Sequence, residues 1–263
     1  MKTTVVGFPR IGEQRELKVA TESYFRGDIT QQQLLENGQQ IRQKHWALLK
    51  EAGVTLIPSN DFSFYDMTLD TAVLLNIIPK RFTDLGLSPL DTYFALARGY
   101  QAGAGDVTAL PMKKWFNTNY HYLTPELEKR TQVKVASTKI FDEYLEAKAL
   151  GIETKPVLLG PFTLIKLADF KDTKVEDHLA NIVSAYQEII SKLDELGAPW
   201  LQLDEPSLVK DLTTADRKLF VQLYEALASE PREIKLLLQT YFGDVRDIYD
   251  ELLSLPVEGI GLD

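Results

Sequence analysis

Three cations near the amino terminus form the first group of residues that could bind a ligand. Arg15 and Lys18 lie three positions apart at the start of a predicted helix, so their side chains share one face. Arg10 adds a positive charge from the preceding loop. Because the first turn of a helix carries free N–H groups, this spacing is compatible with an anion site. An ordinary solvated helix face is the commoner alternative, and the spacing alone does not separate the two.

A second group places two lysines beside aromatic residues. Lys113 and Lys114 precede Trp115, and the aromatic run continues to residue 122. Lysines beside aromatic rings can hold a carboxylate and a ring together, whereas an aromatic strand packed on helices is the structural alternative that the pattern favours. His121 is predicted to be a hydrogen-bonded polar residue of the core and not a metal ligand.

Two adjacent carboxylates, Asp204 and Glu205, follow a predicted strand. Neighbouring residues of a strand point to opposite faces, so at most one of them can face a site at the strand's end. A paired-carboxylate glycosidase arrangement is therefore not supported. We expect one carboxylate to brace the next loop. Residues 240–244 form a further polar and aromatic segment with no defined chemistry.

Composition excludes several classes of site. The chain has no cysteine, which rules out disulfides, cysteine nucleophiles and thiolate-held metals within it. Its histidines, His45, His121 and His178, are far apart in sequence, so no metal site is predicted. A net charge of −9 disfavours nucleic-acid binding. The amino terminus lacks a secretory apolar region and residues 156–167 are too short to span a membrane, so we expect a cytoplasmic protein.

The elements that must position these groups alternate between strands and helices. Short apolar or β-branched runs predict strands over residues 3–8, 54–58, 115–122, 156–159, 200–203, 234–239 and 259–262. Apolar residues at spacings of three and four, with local capping signals, predict helices over residues 17–24, 30–52, 67–75, 89–100, 141–150, 175–196, 215–228 and 245–253. Residues 102–111 are predicted to be a mobile loop. This order predicts an α/β fold with parallel strand pairing.

The number of units favours a barrel. About seven strand–helix units, with no Gly-x-Gly-x-x-Gly after the first strand, indicate a (β/α) TIM-type barrel and not a dinucleotide-binding sheet. The units are one or two short of eight, and the last strand lacks its helix. We therefore expect a barrel that is incomplete at the C-terminus, in a chain that belongs to a longer protein.

Several motifs together resemble the cobalamin-independent methionine synthase family, and they occur in that family's order. They are residues 7–12, 15–18, 61–66, 114–122, 155–161, 202–206 and 240–244. The resemblance implies two (β/α) barrels in one chain, which transfer a methyl group from 5-methyltetrahydropteroyltri-L-glutamate to homocysteine without cobalamin and so make methionine. Residues 1–263 resemble the N-terminal barrel. The resemblance places a zinc ion, held by histidine, cysteines and glutamate, in a C-terminal barrel that this chain lacks.

The resemblance also implies a role for particular residues of this chain. Arg15, Glu16, Leu17, Lys18 and Lys114 match the residues that bind the triglutamate tail of the folate, which has several carboxylates for basic side chains to bind. No catalytic residue and no metal ligand is implied here. The expected partners are the folate substrate and the C-terminal barrel of the same protein, with neither nucleic acid nor membrane.

Two other functions stay open at the level of sequence. One is a free-standing folate-binding barrel without catalysis. The other is a barrel enzyme that uses Asp204 or Glu205 as a general base. The intact mass of the natural gene product distinguishes them most directly, since a much longer chain supports the N-terminal portion of a methyltransferase.

Overall fold

Five apolar segments pair as a parallel sheet in the computed structural model, which describes residues 2–103 and 105–262. The strands are β1 (Ile57–Ser59), β2 (Tyr100–Ala102), β3 (Gly105–Val107), β4 (Met112–Lys114), β5 (His121–Leu123), β6 (Glu126–Leu127), β7 (Thr154–Leu159), β8 (Asp169–Phe170), β9 (Trp200–Asp204), β10 (Lys235–Gln239) and β11 (Gly259–Gly261). The parallel sheet has the order β1-β7-β9-β10-β11. Leu158 lies opposite Leu203, which in turn lies opposite Leu238.

Helices connect these strands, as the apolar spacing predicts. They are α1 (Glu16–Arg26), α2 (Gln31–Glu51), α3 (Met67–Leu74), α4 (Lys80–Thr83), α5 (Pro89–Arg98), α6 (Lys139–Ala149), α7 (Pro161–Leu167), α8 (Val175–Glu195), α9 (Thr214–Leu227) and α10 (Tyr249–Ser254). A capping box fixes the residue at which α2 begins. Thr30 accepts a hydrogen bond from the Gln33 N–H, and the Gln33 side chain accepts one from the Thr30 N–H, so two helix-end donors are satisfied.

The main core lies between one face of the sheet and the helices after it. On α8 the buried residues Ile182, Tyr186, Ile189 and Leu193 recur at spacings of three and four, which places them on one face. They pack in the same apolar cluster as Leu201 and the other inward leucines of β9 and β10. The opposite face of the sheet is left to carry polar side chains.

The predicted strand over residues 3–8 is wrong. The segment forms a single parallel bridge, from Thr4 to Leu56, and no strand. Its next two carbonyls are bonded by side chains instead of a strand partner: Lys155 Nζ lies 3.4 Å from the Val5 oxygen, and Gln202 Nε2 lies 3.0 Å from the Val6 oxygen. With these carbonyls bonded to side chains, Val5 and Val6 form no backbone ladder with the neighbouring segment beyond the Thr4 bridge.

Two other predictions are corrected to hairpins. The predicted strand over residues 115–122 is a turn followed by β5, which pairs antiparallel with β4 so that Lys114 lies opposite His121. The predicted loop over residues 102–111 overlaps the β2–β3 hairpin, since it includes the last residue of β2 and all of β3. Both hairpins have strands of only three residues, which is too short for a clear alternation of apolar and polar residues.

The predicted fold class is confirmed at the level of an α/β fold with a mostly parallel sheet. The sheet is open in the described part of the chain, with β1 and β11 as its outermost strands, and closure into a barrel is not observed. Within the same residues, no helix combines the length and apolar character needed to cross a membrane.

Candidate functional site

A cavity of about 560 Å³ lies at the carboxyl edge of the parallel sheet. Parallel α/β sheets typically bind ligands at this edge, where loops from several strands converge. The structure brings together here residues from every motif that the sequence singled out except residues 15–18. They include Arg10 from the amino-terminal loop, Trp115 and His121 from the β4–β5 hairpin, Asp204 from the end of β9 and Tyr241 from the loop after β10.

Asp204 forms the polar floor of the cavity, and it is the end of a hydrogen-bonded row of side chains on the polar face of the sheet. Lys155 Nζ donates to Gln202 Oε1, and Gln202 Nε2 donates to Asp204 Oδ1 at 2.7 Å. Tyr241 Oη donates to Asp204 Oδ2 at 3.2 Å. Asp204 is 3% exposed, and its burial raises the pKa of its carboxyl to about 7. Burial acts in the opposite sense on a cation, and it lowers the pKa of Lys155 to about 8.

Two further carboxylates of the cavity are tied to backbone N–H groups. Asp61 Oδ2 accepts from the Phe8 N–H at 2.8 Å, which fixes the amino-terminal loop over the site. Asp66 caps α3 by accepting from the Thr68 N–H at 2.7 Å, and it also accepts from the Leu123 N–H at 2.8 Å. Burial raises the pKa of both carboxyls to about 6.

Glu205 points away from the cavity, as the strand geometry predicts. Its side chain is fully buried at the start of α7, where its carboxylate accepts from the N–H groups of Phe162 at 3.1 Å and Thr163 at 2.7 Å. Tyr224 Oη donates to the same carboxylate at 3.0 Å. Burial raises the pKa of Glu205 to about 7, although these hydrogen bonds oppose the shift. The prediction that one of the two adjacent carboxylates braces the next loop is wrong in its target, because the Glu205 carboxylate caps the start of α7, an element that precedes it in the chain.

One wall of the cavity is aromatic. The Phe242 ring lies 5.9 Å from the Trp115 ring and is stacked on Tyr120 at 6.0 Å, measured between ring centroids. Tyr241 meets Phe242 edge-on at 4.8 Å. Trp115 is buried, whereas Tyr120 is 69% exposed at the rim. Phe242 has a φ of 79°, a left-handed conformation that a bulky residue adopts only when its surroundings hold it there.

The predicted tail-binding residues around α1 divide into two kinds. Arg15 and Lys18 are exposed at its start, and Lys18 Nζ lies 3.5 Å from Glu22. Leu17 is 4% exposed and packs in an apolar cluster, so its side chain cannot reach a ligand. The Glu16 carboxylate folds back to accept from the Gln14 N–H at 3.0 Å.

Lys114 lies elsewhere, at the end of β4. It is exposed, and its Nζ is 3.4 Å from Asn119 Oδ1. In the described chain no hydrogen bond or ion pair joins Lys114 to Arg15 or Lys18, and none of the three lines the cavity. The structure thus leaves these cations on separate exposed elements.

The histidines have separate environments. His121 is exposed at the cavity, which corrects the prediction of a core position, because β5 places it opposite Lys114 on the outer hairpin face. His45 packs against the Phe8 ring, and His178 is buried with Nε2 3.1 Å from Thr173 Oγ1. Among residues 2–103 and 105–262, no three His, Cys, Asp or Glu side chains are grouped to hold a metal ion.

Three residues that shape the site were not singled out from the sequence: Asp61, which lines the cavity, and Lys155 and Gln202, which form the hydrogen-bonded row that ends at Asp204. Lys155 and Gln202 were noted only as parts of longer motifs, and Asp61 likewise. A signal was available for the first two, since a lysine and a glutamine inside otherwise apolar strands must find polar partners when they are buried.

Comparison with known proteins identifies the family to which the chain is similar. Residues 2–263 match the sequence model described as cobalamin-independent synthase, N-terminal domain. The chain is 60% identical over 264 residues to the 5-methyltetrahydropteroyltriglutamate--homocysteine methyltransferase of Streptococcus suis and 56% identical to the protein of that name from Streptococcus thermophilus. These alignments cover 100% of this chain and 35% of each relative, so the chain spans about a third of their length.

Solved structures support the same fold. A putative vitamin-B12 independent methionine synthase from Listeria monocytogenes superposes with a TM-score of 0.66 at 14% identity, over 99% of this chain and 73% of that one. A B12-independent methionine synthase from Shewanella gives a TM-score of 0.56 at 14% identity, over 86% of this chain and 58% of that one. Such low identities show the fold alone. The family model and the closely similar sequences together establish that the chain belongs to the cobalamin-independent synthase family, as its N-terminal domain.

Proposed function

We propose that the chain is the folate-tail-binding, structural N-terminal portion of a methyltransferase. That enzyme moves a methyl group from 5-methyltetrahydropteroyltri-L-glutamate to homocysteine, giving methionine, and needs no cobalamin. The observation that carries the proposal is the match of the whole chain to 35% of the length of methyltransferases with this name. A cytoplasmic location belongs to the same proposal.

The residues of this chain do not fit the zinc ion that the resemblance implies. The chain has no cysteine to supply a thiolate, and the described residues contain no three-ligand cluster. We therefore assign zinc, and the activation of the homocysteine thiol, to a C-terminal barrel outside this chain. The part of this chain is to bind the substrate and to support that barrel.

Exposure supports different roles for the five predicted tail-binding residues. Arg15, Lys18 and Lys114 have exposed cationic ends, which are suited to the carboxylates of a polyglutamate tail. Leu17 anchors the start of α1 in the core, and Glu16 holds the preceding turn through the Gln14 N–H. In this proposal the three cations touch the tail, while the other two residues position them.

We infer that the open sheet is part of a (β/α) TIM-type barrel whose remaining strands would pair with β11. Two features support it: the parallel order of the five strands, and a polar sheet face that carries Lys155, Gln202 and Asp204 at a cavity beyond the strand ends. A structure of the longer protein with β11 still unpaired would contradict it.

Methionine synthesis tests the main proposal. The full-length protein is supplied with 5-methyltetrahydropteroyltri-L-glutamate and homocysteine in the absence of cobalamin, and methionine is measured. The proposal predicts turnover with the triglutamate substrate. Absence of methionine formation by full-length, zinc-loaded protein would overturn it.

One observation favours a second candidate function, a barrel enzyme with a general base. Asp204 lines the cavity, and its pKa of about 7 is suited to accepting a proton near neutral pH. Glu205, the other residue considered, is fully buried and bonded to α7 and Tyr224, so it cannot serve. If Asp204→Asn left all activity of the full-length protein intact, this second candidate would be excluded.

A further inference from the structure

The cavity at the carboxyl edge of the sheet is not used by the proposed tail binding. None of Arg15, Lys18 or Lys114 lines it. It is nevertheless a formed concave site of about 560 Å³, with an aromatic wall, a polar floor and an opening at the Tyr120 rim. Pockets with these properties are the usual sites for small ligands.

The carboxylates that line the cavity lack cationic partners in the described part of the chain. Three carboxylates line the cavity, those of Asp61, Asp66 and Asp204. In the described residues none of them forms a direct ion pair with a lysine or arginine. The nearby Lys155 ammonium donates to Gln202 and to the Val5 carbonyl instead.

The remaining cation at the cavity, Arg10, is also engaged elsewhere, because its Nη1 donates to the Ser63 carbonyl at 2.9 Å. Asp66 has two backbone N–H partners, from Thr68 and Leu123, which bind one oxygen each. Asp61 has one such partner, the Phe8 N–H on Oδ2, so its Oδ1 has no donor from another residue in the described part of the chain. Asp204, like Asp66, has one donor on each oxygen, from Gln202 and Tyr241, so Asp61 has the most acceptor capacity left. Asp61 and Asp204 are close enough for their negative charges to repel, and a cation between them would relieve that repulsion.

We propose that this cavity binds a small organic ammonium ion. Its ammonium group lies between Asp61 and Asp204, and its apolar part packs against Trp115 and Phe242. An ammonium group has three donors, which suits two carboxylates that approach from different strand ends. Aromatic faces attract cations as well, so the wall and the floor favour the same charge.

Other ligand classes fit less well. An anion would meet three carboxylates. A metal ion would need a compact set of oxygen or nitrogen ligands, and the described chain offers no such group. A neutral apolar molecule would bury Asp61 and Asp204 further without giving them a donor, which is unfavourable.

Three aromatic probes of similar size test which ligand charge the cavity prefers. Benzylammonium, benzyl alcohol and benzoate are titrated separately into the 263-residue chain near neutral pH, and heat is measured. We expect benzylammonium to bind about tenfold or more tightly than the other two, which corresponds to about 1.4 kcal/mol. Equal binding of benzyl alcohol, tighter binding of benzoate, or no saturation by benzylammonium below about 10 mM overturns the proposal.

Variants then locate the site. Asp204→Asn is expected to weaken benzylammonium about tenfold, since it keeps the shape and removes the charge. Tyr120→Ala is a second variant, and it changes an exposed side chain, so the variant should fold. It is expected to weaken the binding of benzylammonium severalfold, because part of the aromatic wall is lost. Asp211→Asn removes an exposed carboxylate outside the cavity and serves as the matched control. Unchanged affinity in both Asp204→Asn and Tyr120→Ala, or an equal loss in Asp211→Asn, refutes the assignment.

Discussion

Replacing Lys18 by alanine is expected to weaken the binding of the triglutamate substrate while leaving a monoglutamate analogue almost unaffected. The structure sets the size of this effect. The Lys18 side chain is 46% exposed and lies 3.5 Å from Glu22, so any contact with the tail is solvated and must compete with a neighbouring carboxylate. Exposed ion pairs of this kind contribute about 0.2–1 kcal/mol. The expected loss is therefore about 1.4- to 5-fold in Kd.

Lys114→Ala is expected to give a loss of similar size, because that side chain is exposed too. The two lysines lie on separate elements with no contact between them, so the losses in the double variant should add in free energy, to roughly 2- to 25-fold. Glu22→Gln removes the competitor of Lys18 and is expected to tighten binding slightly. All these differences shrink at high salt, where screening shortens the reach of the charges.

The measurement is a titration of both forms of the substrate into the full-length methyltransferase that the proposed function assumes. Lys218→Ala, an exposed lysine on α9, is the matched control and should bind both forms normally. Equal losses for monoglutamate and triglutamate would place the lysines at the pteridine ring. No loss in either single variant or the double variant would show that they are ordinary surface cations, and would refute the argument from charge.

Between about pH 4 and 7 the chain is expected to lose stability, because burial raises the pKa of Asp204 and Glu205 to about 7. Their stabilising contribution is complete below the unfolded pKa near 4, falls above it, and is lost once the pH has risen through 7, a change of roughly 3–4 kcal/mol each. Denaturant unfolding across this pH range measures the change in the free energy of unfolding. Glu205→Gln should flatten the dependence of that free energy on pH. A free energy of unfolding that rises with pH in this range would contradict the raised pKa values. Gly160→Ala should cost about 1–3 kcal/mol, since the new Cβ would overlap the fixed Glu205 carboxylate, whereas Gly103→Ala meets open space and should be neutral in the same unfolding assay. The 263-residue chain given substrate, homocysteine and zinc should form no methionine above the uncatalysed rate, because it has no cysteine to hold a thiol-activating metal; methionine detected by mass spectrometry would refute this.

The elements that sequence predicts best are those whose own periodicity matches their burial. The helix predicted over residues 175–196 is α8, because its buried residues repeat every three or four positions on one face. The opposite orientations of Asp204 and Glu205 follow from the two-residue period of a strand and were predictable for the same reason. In both cases a local rule determines which side chain is buried.

Prediction failed where distant residues decide the conformation. The β-branched run at residues 3–8 has the composition of a strand, but the side chains that engage its carbonyls come from Lys155 and Gln202. The site was predictable in part, since the segments at the strand ends do meet at one cavity. The hydrogen-bonded row that links Lys155 and Gln202 to Asp204 was not predictable, because it depends on tertiary pairing across β7 and β9.

The bonds that hold the amino-terminal segment have a consequence for the order of events during synthesis. The Gln202 side chain that binds the Val6 carbonyl is 196 residues further along the chain. At about 5–20 residues per second, the ribosome needs roughly 10–40 s to deliver that partner after Val6 itself has been made. For this interval the carbonyl of an exposed, β-branched segment has no native side-chain partner, and the segment resembles an unpaired strand edge. A nascent chain arrested before residue 155 should therefore be cleaved by protease near its amino terminus, and one arrested well beyond Gln202, with that residue clear of the ribosome, should be protected there.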